Sequence, residues 1–263
     1  MAKLYNRGLT LCKVAKIFGY KTGKSIGDKL KAQGFPIRQG SEAYPREYDE
    51  NIFEVIDCHW KGYFLGLLLT DGWVQESGHS VCIDLTDLDA IEFLSQCTGK
   101  SLRRYEHKSK MTPQGKICDC KDSYRLCFTS QKMYNDVQKY GVVPHKTSHI
   151  PKIQLEVHEL RYLRHIVRGI IDGDGTFGFP SNIKGTSYCQ ICSASENFLR
   201  QVQVYLEILG LININLHKKG EYYFLETGEK KNMRILEYCV YREDYGMTRK
   251  RQALIEKQPL YLL

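Results

Sequence analysis

"RGIIDGDGTFGF", residues 168–179, sets two acids and four glycines in a largely apolar run. A glycine inside a helix costs about 1 kcal/mol against alanine, and buried segments rarely carry aspartate. Upstream, "GYFLGLLLTDGWV", residues 62–74, has the same form. Gly66 aligns with Gly169, Asp71 with Asp174 and Gly72 with Gly175, each pair 103 residues apart. The flanks repeat too. "SVCIDLTDLDAIEFLSQCTG" (80–99) and "SYCQICSASENFLRQVQVYLEILG" (187–210) each alternate as a strand and then turn amphipathic as a helix. "YRLCFTSQKMYNDVQKYGV" (124–142) and "YYFLETGEKKNMRILEYCV" (222–240) each read as strand, turn, helix. Every half is therefore expected to run helix, two strands, helix, two strands, helix, a duplicated α+β unit of about 100 residues.

The repeat explains the glycines. Gly66 and Gly169 lie on apolar helix faces, where a missing side chain lets two backbones approach. The two helices are expected to pack as a pseudo-twofold pair and to end at Asp-Gly, with Gly72 and Gly175 supplying the C-terminal turns. Asp71 and Asp174 then fall side by side at the negative ends of two helix dipoles, where they repel. A divalent cation removes that repulsion. Hard oxygen donors suit Mg²⁺, which takes one or two carboxylates and completes its shell with water and phosphate oxygens. The bland alternative, two plain helix-ending Asp-Gly turns, does not account for a close-packing glycine five residues before each acid.

"FLGLLLTDG" (64–72) and "VRGIIDGDG" (167–175) resemble the LAGLIDADG motif of homing endonucleases. Two motifs in one chain resemble the single-chain members, and the likeness spans about residues 60–255. Leu69 stands where the family often has its first Asp, and Leu65 and Arg168 stand where it has Ala. The resemblance implies two pseudo-twofold αββαββα repeats whose antiparallel sheets form a saddle over a long double-stranded DNA target. It implies a site-specific endonuclease that cuts both strands across the minor groove and leaves 3′ overhangs. It makes Asp71 and Asp174 the metal-binding acids, with Thr70, Gly173 and Gly175 beside them in the metal set, and Lys146 and Lys250 the lysines of the catalytic pocket. Mg²⁺ is the expected ion and Mn²⁺ the substitute, while Ca²⁺ is expected to occupy the site without supporting cleavage. The expected assembly is a monomer with internal pseudo-symmetry. The alternative is a catalytically silent DNA-binding regulator, or a maturase acting on intron RNA, built on the same scaffold.

Alternation in the strands assigns the rest. Val74, Val81, Ile83, Leu85, Phe177, Ile212, Ile214 and Leu216 are expected to face the core. Trp73, Gln75, Ser77, Thr176, Asn213, Asn215, His217 and Lys219 then face outward, where amides and basic groups suit base edges and phosphates. "SLRRYEHKSK" (101–110) adds Arg103, Arg104 and Lys108 to the candidate DNA contacts. A half-exposed sheet is polar outside in any case, so this pattern alone is weak.

Residues 1–40 lie outside both repeats. "LTLCKVAKIFG" has helical spacing at Leu11, Val14, Ala15 and Phe18, and "GKSIGDKLKAQG" at Ile26 and Leu30. Two short helices joined by a glycine turn resemble a helix-turn-helix, with Lys21, Thr22, Lys24 and Ser25 at the start of the second positioned for DNA. The expected layout is this segment, a linker over 41–58, and repeats over 59–152 and 153–263. With 38 Lys and Arg against 30 Asp and Glu, the net charge of +8 favours a polyanionic partner. No apolar run reaches the roughly 18 residues of a membrane span, and no leader pattern opens the chain. The ten cysteines lack the spacing of a four-ligand zinc site and are expected to be unpaired thiols, as in a cytoplasmic, reducing compartment.

Overall fold

The structure, a computed structural model, describes residues 1–38, 47–107, 110–111, 117–118, 121–146, 150–178 and 187–256. The chain divides into an N-terminal unit, 1–49, and a body, 50–263.

In the N-terminal unit, α1 (Ala2–Asn6), α2 (Leu11–Ile17) and α3 (Gly23–Ala32) enclose a small core of Tyr5, Val14, Ala15, Ile26 and Leu30. Thr10 caps α2 by accepting from the Lys13 amide at 3.3 Å. Gly23 lies against α2, since a Cβ there would stand 2.9 Å from the Cys12 backbone nitrogen. Arg38 closes the unit, donating to the Leu9 and Tyr5 carbonyls across the Tyr5 ring. Helical spacing puts Phe18 on the buried face of α2, yet it is 44% exposed, because α2 ends one residue earlier and the chain turns at Gly19 with φ of 72°.

The body begins before the first repeat. The linker expected over 41–58 stops by Glu50: Ile52, Phe53 and Ile56 are all buried, and the Ile56 amide donates to Glu159 Oε1 at 2.8 Å. Residues 41–46 of that linker lie outside the described residues. The first half then runs α4 (His59–Thr70), β1 (Gly72–Gln75), β2 (Ser80–Leu85), α5 (Leu88–Thr98), β3 (Arg103–Tyr105), a short hairpin of β4 (Lys110–Met111) and β5 (Ile117–Cys118), β6 (Ser123–Thr129) and α6 (Gln131–Gln138). The second half opens on a 3₁₀ turn, Val157–Tyr162. It continues with α7 (Leu163–Asp174), β7 (Gly175–Gly178), β8 (Tyr188–Ser193), α8 (Glu196–Ile208), β9 (Asn215–Lys219), β10 (Tyr222–Thr227), α9 (Lys230–Ile235) and α10 (Thr248–Glu256). The antiparallel sheets have matching orders, β1-β2-β6-β3 and β7-β8-β10-β9, so the duplication read from the sequence is a duplication of topology. The hairpin β4–β5 is the first half's own insertion.

The paired helices α4 and α7 form the most extensive helix packing in the body. A Cβ on Gly66 would stand 2.2 Å from the Ile166 carbonyl oxygen, and one on Gly169 would stand 2.2 Å from the Tyr63 carbonyl oxygen. These two clashes are images of each other under the 103-residue offset, so the glycines act as the sequence suggests. Gly72 and Gly175 do not. Neither is left-handed, and Gly175 is extended at φ −88°, ψ 162°. The strands instead leave straight from the helix ends and fold back along the last turn. A Cβ would meet the Leu68 Cα at 2.7 Å and the Ile171 Cα at 2.8 Å respectively.

Register confirms most of the inward set: Val74, Val81, Ile83, Leu85 and Phe177 are buried. Ile214 is buried and Leu216 half-buried, while Ile212 is 42% exposed. Asn232 clamps its backbone, accepting from the Ile212 amide and donating to its carbonyl. Asn213 then adopts a left-handed φ of 50°, which breaks the alternation until β9 begins at Asn215. Of the cysteines, Cys82 and Cys127 depart from the expectation of unpaired thiols. The β2–β6 register sets them opposite each other, Cα atoms 4.2 Å apart and sulfurs in contact.

Candidate functional site

Asp71 follows the last residue of α4 and Asp174 ends α7, so the glycine-to-glycine crossing of these helices carries both acids to one end of the pair. Their proximity shows at Gly173, where a Cβ would stand 2.9 Å from Asp71 Oδ2 and closer still to the Thr70 hydroxyl. Both side chains remain exposed to solvent. Two lysines close the site from separate segments. Lys146 donates to the Leu69 carbonyl at 3.0 Å and the Thr70 carbonyl at 2.6 Å. Lys250, on α10, is buried and donates to the Gly175 carbonyl. Beside Asp71 a cleft of about 630 Å³ runs between Lys146 and the β1 residues Trp73 and Gln75.

The electrostatics follow from this crowding. Partial burial first, then the charge of Asp71, push the Asp174 carboxyl up to about 6, against the opposing pull of Lys146 and Lys250. Burial likewise raises Asp71. Burial lowers Lys146, while Asp174 and Asp71 favour its charged form. Burial, then Arg249, lowers Lys250. The arrangement is two accessible anions held in mutual repulsion, flanked by two cations that are themselves anchored on helix-end carbonyls. Such a pair fits a hard divalent cation that takes two carboxylate oxygens and draws its remaining ligands from water or phosphate. Of the backbone groups named with them, the Thr70 and Gly175 carbonyls are already engaged by the lysines, and a Gly173 Cβ would press on Asp71.

The first acid of the second motif has a different job. Asp172 is fully buried. Its Oδ2 accepts from the Tyr63 hydroxyl at 2.8 Å and the Met247 amide at 3.0 Å, and its Oδ1 accepts from the Tyr241 hydroxyl at 2.7 Å. Arg168, also buried, stacks over Tyr245 and Tyr241 and donates to the Glu243 and Tyr245 carbonyls. Together they tie the segment leading into α10, and hence Lys250, to α7. Arg249 and the Thr248 amide bind Asp87 and Asp89 at the start of α5, which fixes the same helix to the first half. The repeat singles out Asp174 and leaves Asp172 unexplained. Its one signal in the sequence is the spacing of two between the acids, which places them on different faces of one helix.

The sheet faces turned away from the core carry most of the outward set. In the first sheet the register aligns Trp73, Gln75, Arg103 and Tyr105 with Asp84 and Arg125. Arg125 is an addition to the residues that alternation picks out. Its guanidinium lies 5.1 Å from the Trp73 ring centre and 4.4 Å from that of Tyr105, and it pairs with Asp84 at 2.7 Å. Arg104 alternates to the opposite face and is held by Asp122 at 2.5 Å. Ser77 lies exposed in the β1–β2 turn. In the second sheet Thr176, Asn215, His217 and Lys219 share one face with Gln190, Phe224 and Glu226, and His217 stacks on Phe224. Asn213 precedes β9 and donates to Glu229 at 2.8 Å instead. Lys108 lies outside the described residues. In the N-terminal unit Lys21, Thr22 and Lys24 are exposed at the start of α3, and Ser25 is half-buried against Thr22.

No protein-family model matches the sequence, and neither does any curated protein. Solved structures do resemble the fold. The homing endonuclease I-WcaI bound to its DNA recognition sequence superposes with a TM-score of 0.53 at 9% identity, over 76% of this chain and 87% of that one. The N-terminal LAGLIDADG domain of DUF199/WhiA gives a TM-score of 0.45 at 12% identity, over 74% and 91%. I-DmoI in complex with DNA and Ca gives 0.47 at 14%, over 78% and 99%. The body has the α+β fold of the LAGLIDADG proteins.

Proposed function

We propose that the body is a divalent-metal-dependent, site-specific endonuclease of double-stranded DNA, cutting both strands and leaving 3′ overhangs. The observation that carries this reading is the pair of accessible carboxylates, Asp71 and Asp174, at the end of helices crossed glycine on glycine. A folded protein gains nothing in stability from holding two such charges together, so their retention points to a use. I-WcaI, whose fold the body resembles, is bound to its DNA recognition sequence, which supports a DNA partner.

Asp71 and Asp174 would hold the ion, preferably Mg²⁺ with Mn²⁺ as substitute. When bound it acidifies water and offsets charge building on a phosphate. The chain's own residues supply the rest. Lys146 and Lys250 place positive charge beside the scissile region without being free to pair with the acids, because helix-end carbonyls hold their ammonium groups. Asp174, pushed up only to about 6, stays ionised at neutral pH. The outer faces of the two sheets, with Trp73, Gln75 and Arg125 on one and Thr176, Asn215 and His217 on the other, present stacking surfaces and hydrogen-bonding groups to the duplex. A single chain supplies both halves, so a monomer suffices.

The test is selection of cleaved sites from a randomised duplex library with Mg²⁺, beside an Asp71→Asn, Asp174→Asn double variant. Double-strand breaks with 3′ overhangs are expected from the native chain alone. Specific binding without cutting would instead support a DNA-binding regulator, and selective binding of intron RNA would support a maturase.

A further inference from the structure

Residues 1–38 contain nine Lys or Arg and one acid, Asp28. Residues 39–263 contain twenty-nine of each sign. The whole net charge of +8 therefore lies in residues 1–38; the N-terminal unit as a whole, 1–49, carries +6 and the body, 50–263, carries +2. The two units also differ in how densely they carry exposed cations. The body has some without an ion pair among the described residues, Arg103, Lys121, Lys152, Lys219, Lys231 and Arg234 among them, but spread along a much longer chain that pairs many others. In the body Arg104, Arg125, Lys132, Arg164, Arg249 and Arg251 are paired with carboxylates. Lys146 and Lys250 are committed to carbonyls, and Arg168 is buried. In residues 1–38 eight of the nine cations are exposed, Arg38 being the exception, and none of the eight forms an ion pair among the described residues. They project from α1, α2, α3 and the turns beside them. Gly23 and Gly27 let α3 sit tightly on α2, where a Cβ would meet Cys12 or Leu11, so the lysines of both helices are carried on one rigid pair.

Unpaired cations concentrated on a small unit meet their complement in a dense line of negative charge. Duplex DNA presents one charge about every 1.7 Å of its axis, and neutralising its phosphates releases condensed counterions. A body that carries only +2 over a much longer chain has less of this term to offer per residue. We propose that the N-terminal unit is the electrostatic anchor of the chain, a binding site for the phosphates of the duplex that the body engages, and that it supplies most of the salt-dependent part of the affinity. This inference rests on the reading of the body as a DNA-binding nuclease.

The test is binding of the full chain to a long duplex in EDTA, followed across 50–200 mM KCl, with double-strand cleavage in Mg²⁺ measured separately. In Lys13→Gln, Lys16→Gln, Lys21→Gln, Lys24→Gln the slope of log affinity against log salt should fall by roughly 3, since each phosphate left unneutralised removes about 0.9. The same four positions changed to Arg should retain the native slope, which separates charge from folding. Neutralising four exposed cations of the body, Lys121, Lys152, Lys231 and Arg234, should change the slope by less than about one. Equal reductions from both sets would overturn the anchor, as would an unchanged slope in the N-terminal set. A slope change confined to duplex RNA would overturn the DNA assignment. Asp71→Asn, Asp174→Asn should keep the native slope. If the native chain cuts nothing while the slope still falls, the nuclease reading fails and the anchor stands. If it cuts but the slope does not fall, the reverse holds.

Discussion

Gly66→Ala tests the helix pair on which the site depends. The added Cβ would stand 2.2 Å from the Ile166 carbonyl oxygen and 2.8 Å from the Gly169 Cα, where ordinary contact begins near 3.4 Å. Both obstacles are backbone, so no side chain can swing aside, and the helices must part locally by about 1.2 Å. Forcing a methyl into a close-packed contact costs about 1–3 kcal/mol, and backbone against backbone argues for the upper end. Alanine returns about 1 kcal/mol of helix propensity. The net loss of ~2 kcal/mol corresponds to a fall in Tm of about 4–8 °C for a body of this size. Because the crossing also sets the spacing of Asp71 and Asp174, the variant should bind Mn²⁺ more weakly. Calorimetry reads both quantities. Gly228→Ala is the control: its Cβ would meet nothing nearer than the Ser187 carbonyl oxygen at 3.4 Å. Gly66→Ala with native Tm and native Mn²⁺ affinity would refute the reasoning.

Asp172→Asn should lower stability by about 2–3 kcal/mol, since one of its three donors would face an amide NH₂ in a site closed to water; denaturant unfolding reads the loss. Asp174 is shifted upward to about 6, so a proton competes with the ion below that pH and not above it. Mn²⁺ affinity measured by titration should therefore be flat above about pH 6 and fall about tenfold per unit below it, and Asp174→Asn should remove Asp174's share of that dependence and leave only the share of Asp71. Phe53→Ala should cost about 3–5 kcal/mol by chemical denaturation, because Phe53 is fully buried in the body. A change below about 0.5 kcal/mol, the range of ordinary surface substitutions, would mean that residues 50–58 are linker after all.

The features legible in the sequence are those written twice. A glycine and an acid repeating at one offset point to the helix pair, the location of the two carboxylates and the succession of helices and strands along each half, because each copy checks the other. Alternation assigns the faces of β1, β2 and β7 for the same reason that it fails after Leu211. Period-2 reading assumes extended backbone, and Asn213 leaves that region. Contacts between segments distant in sequence leave no such trace. The Asp172 cluster joins Tyr63, Tyr241 and Met247, and the pairing of Arg125 with Asp84 spans 41 residues. Ile52, Phe53 and Ile56 escape notice because they follow the polar stretch of residues 38–50. The segregation of charge is in plain view, but it acquires meaning only once the structure separates the two units.

Asp71 and Asp174 acting together on one ion is the claim from which the rest follows, and diffraction at the Mn²⁺ absorption edge measures it directly. In crystals of the chain with a selected duplex, the expected result is an anomalous peak within ligand distance of both carboxylates and of a backbone phosphate. An ion bound elsewhere, or carboxylates too far apart to share one, would contradict it.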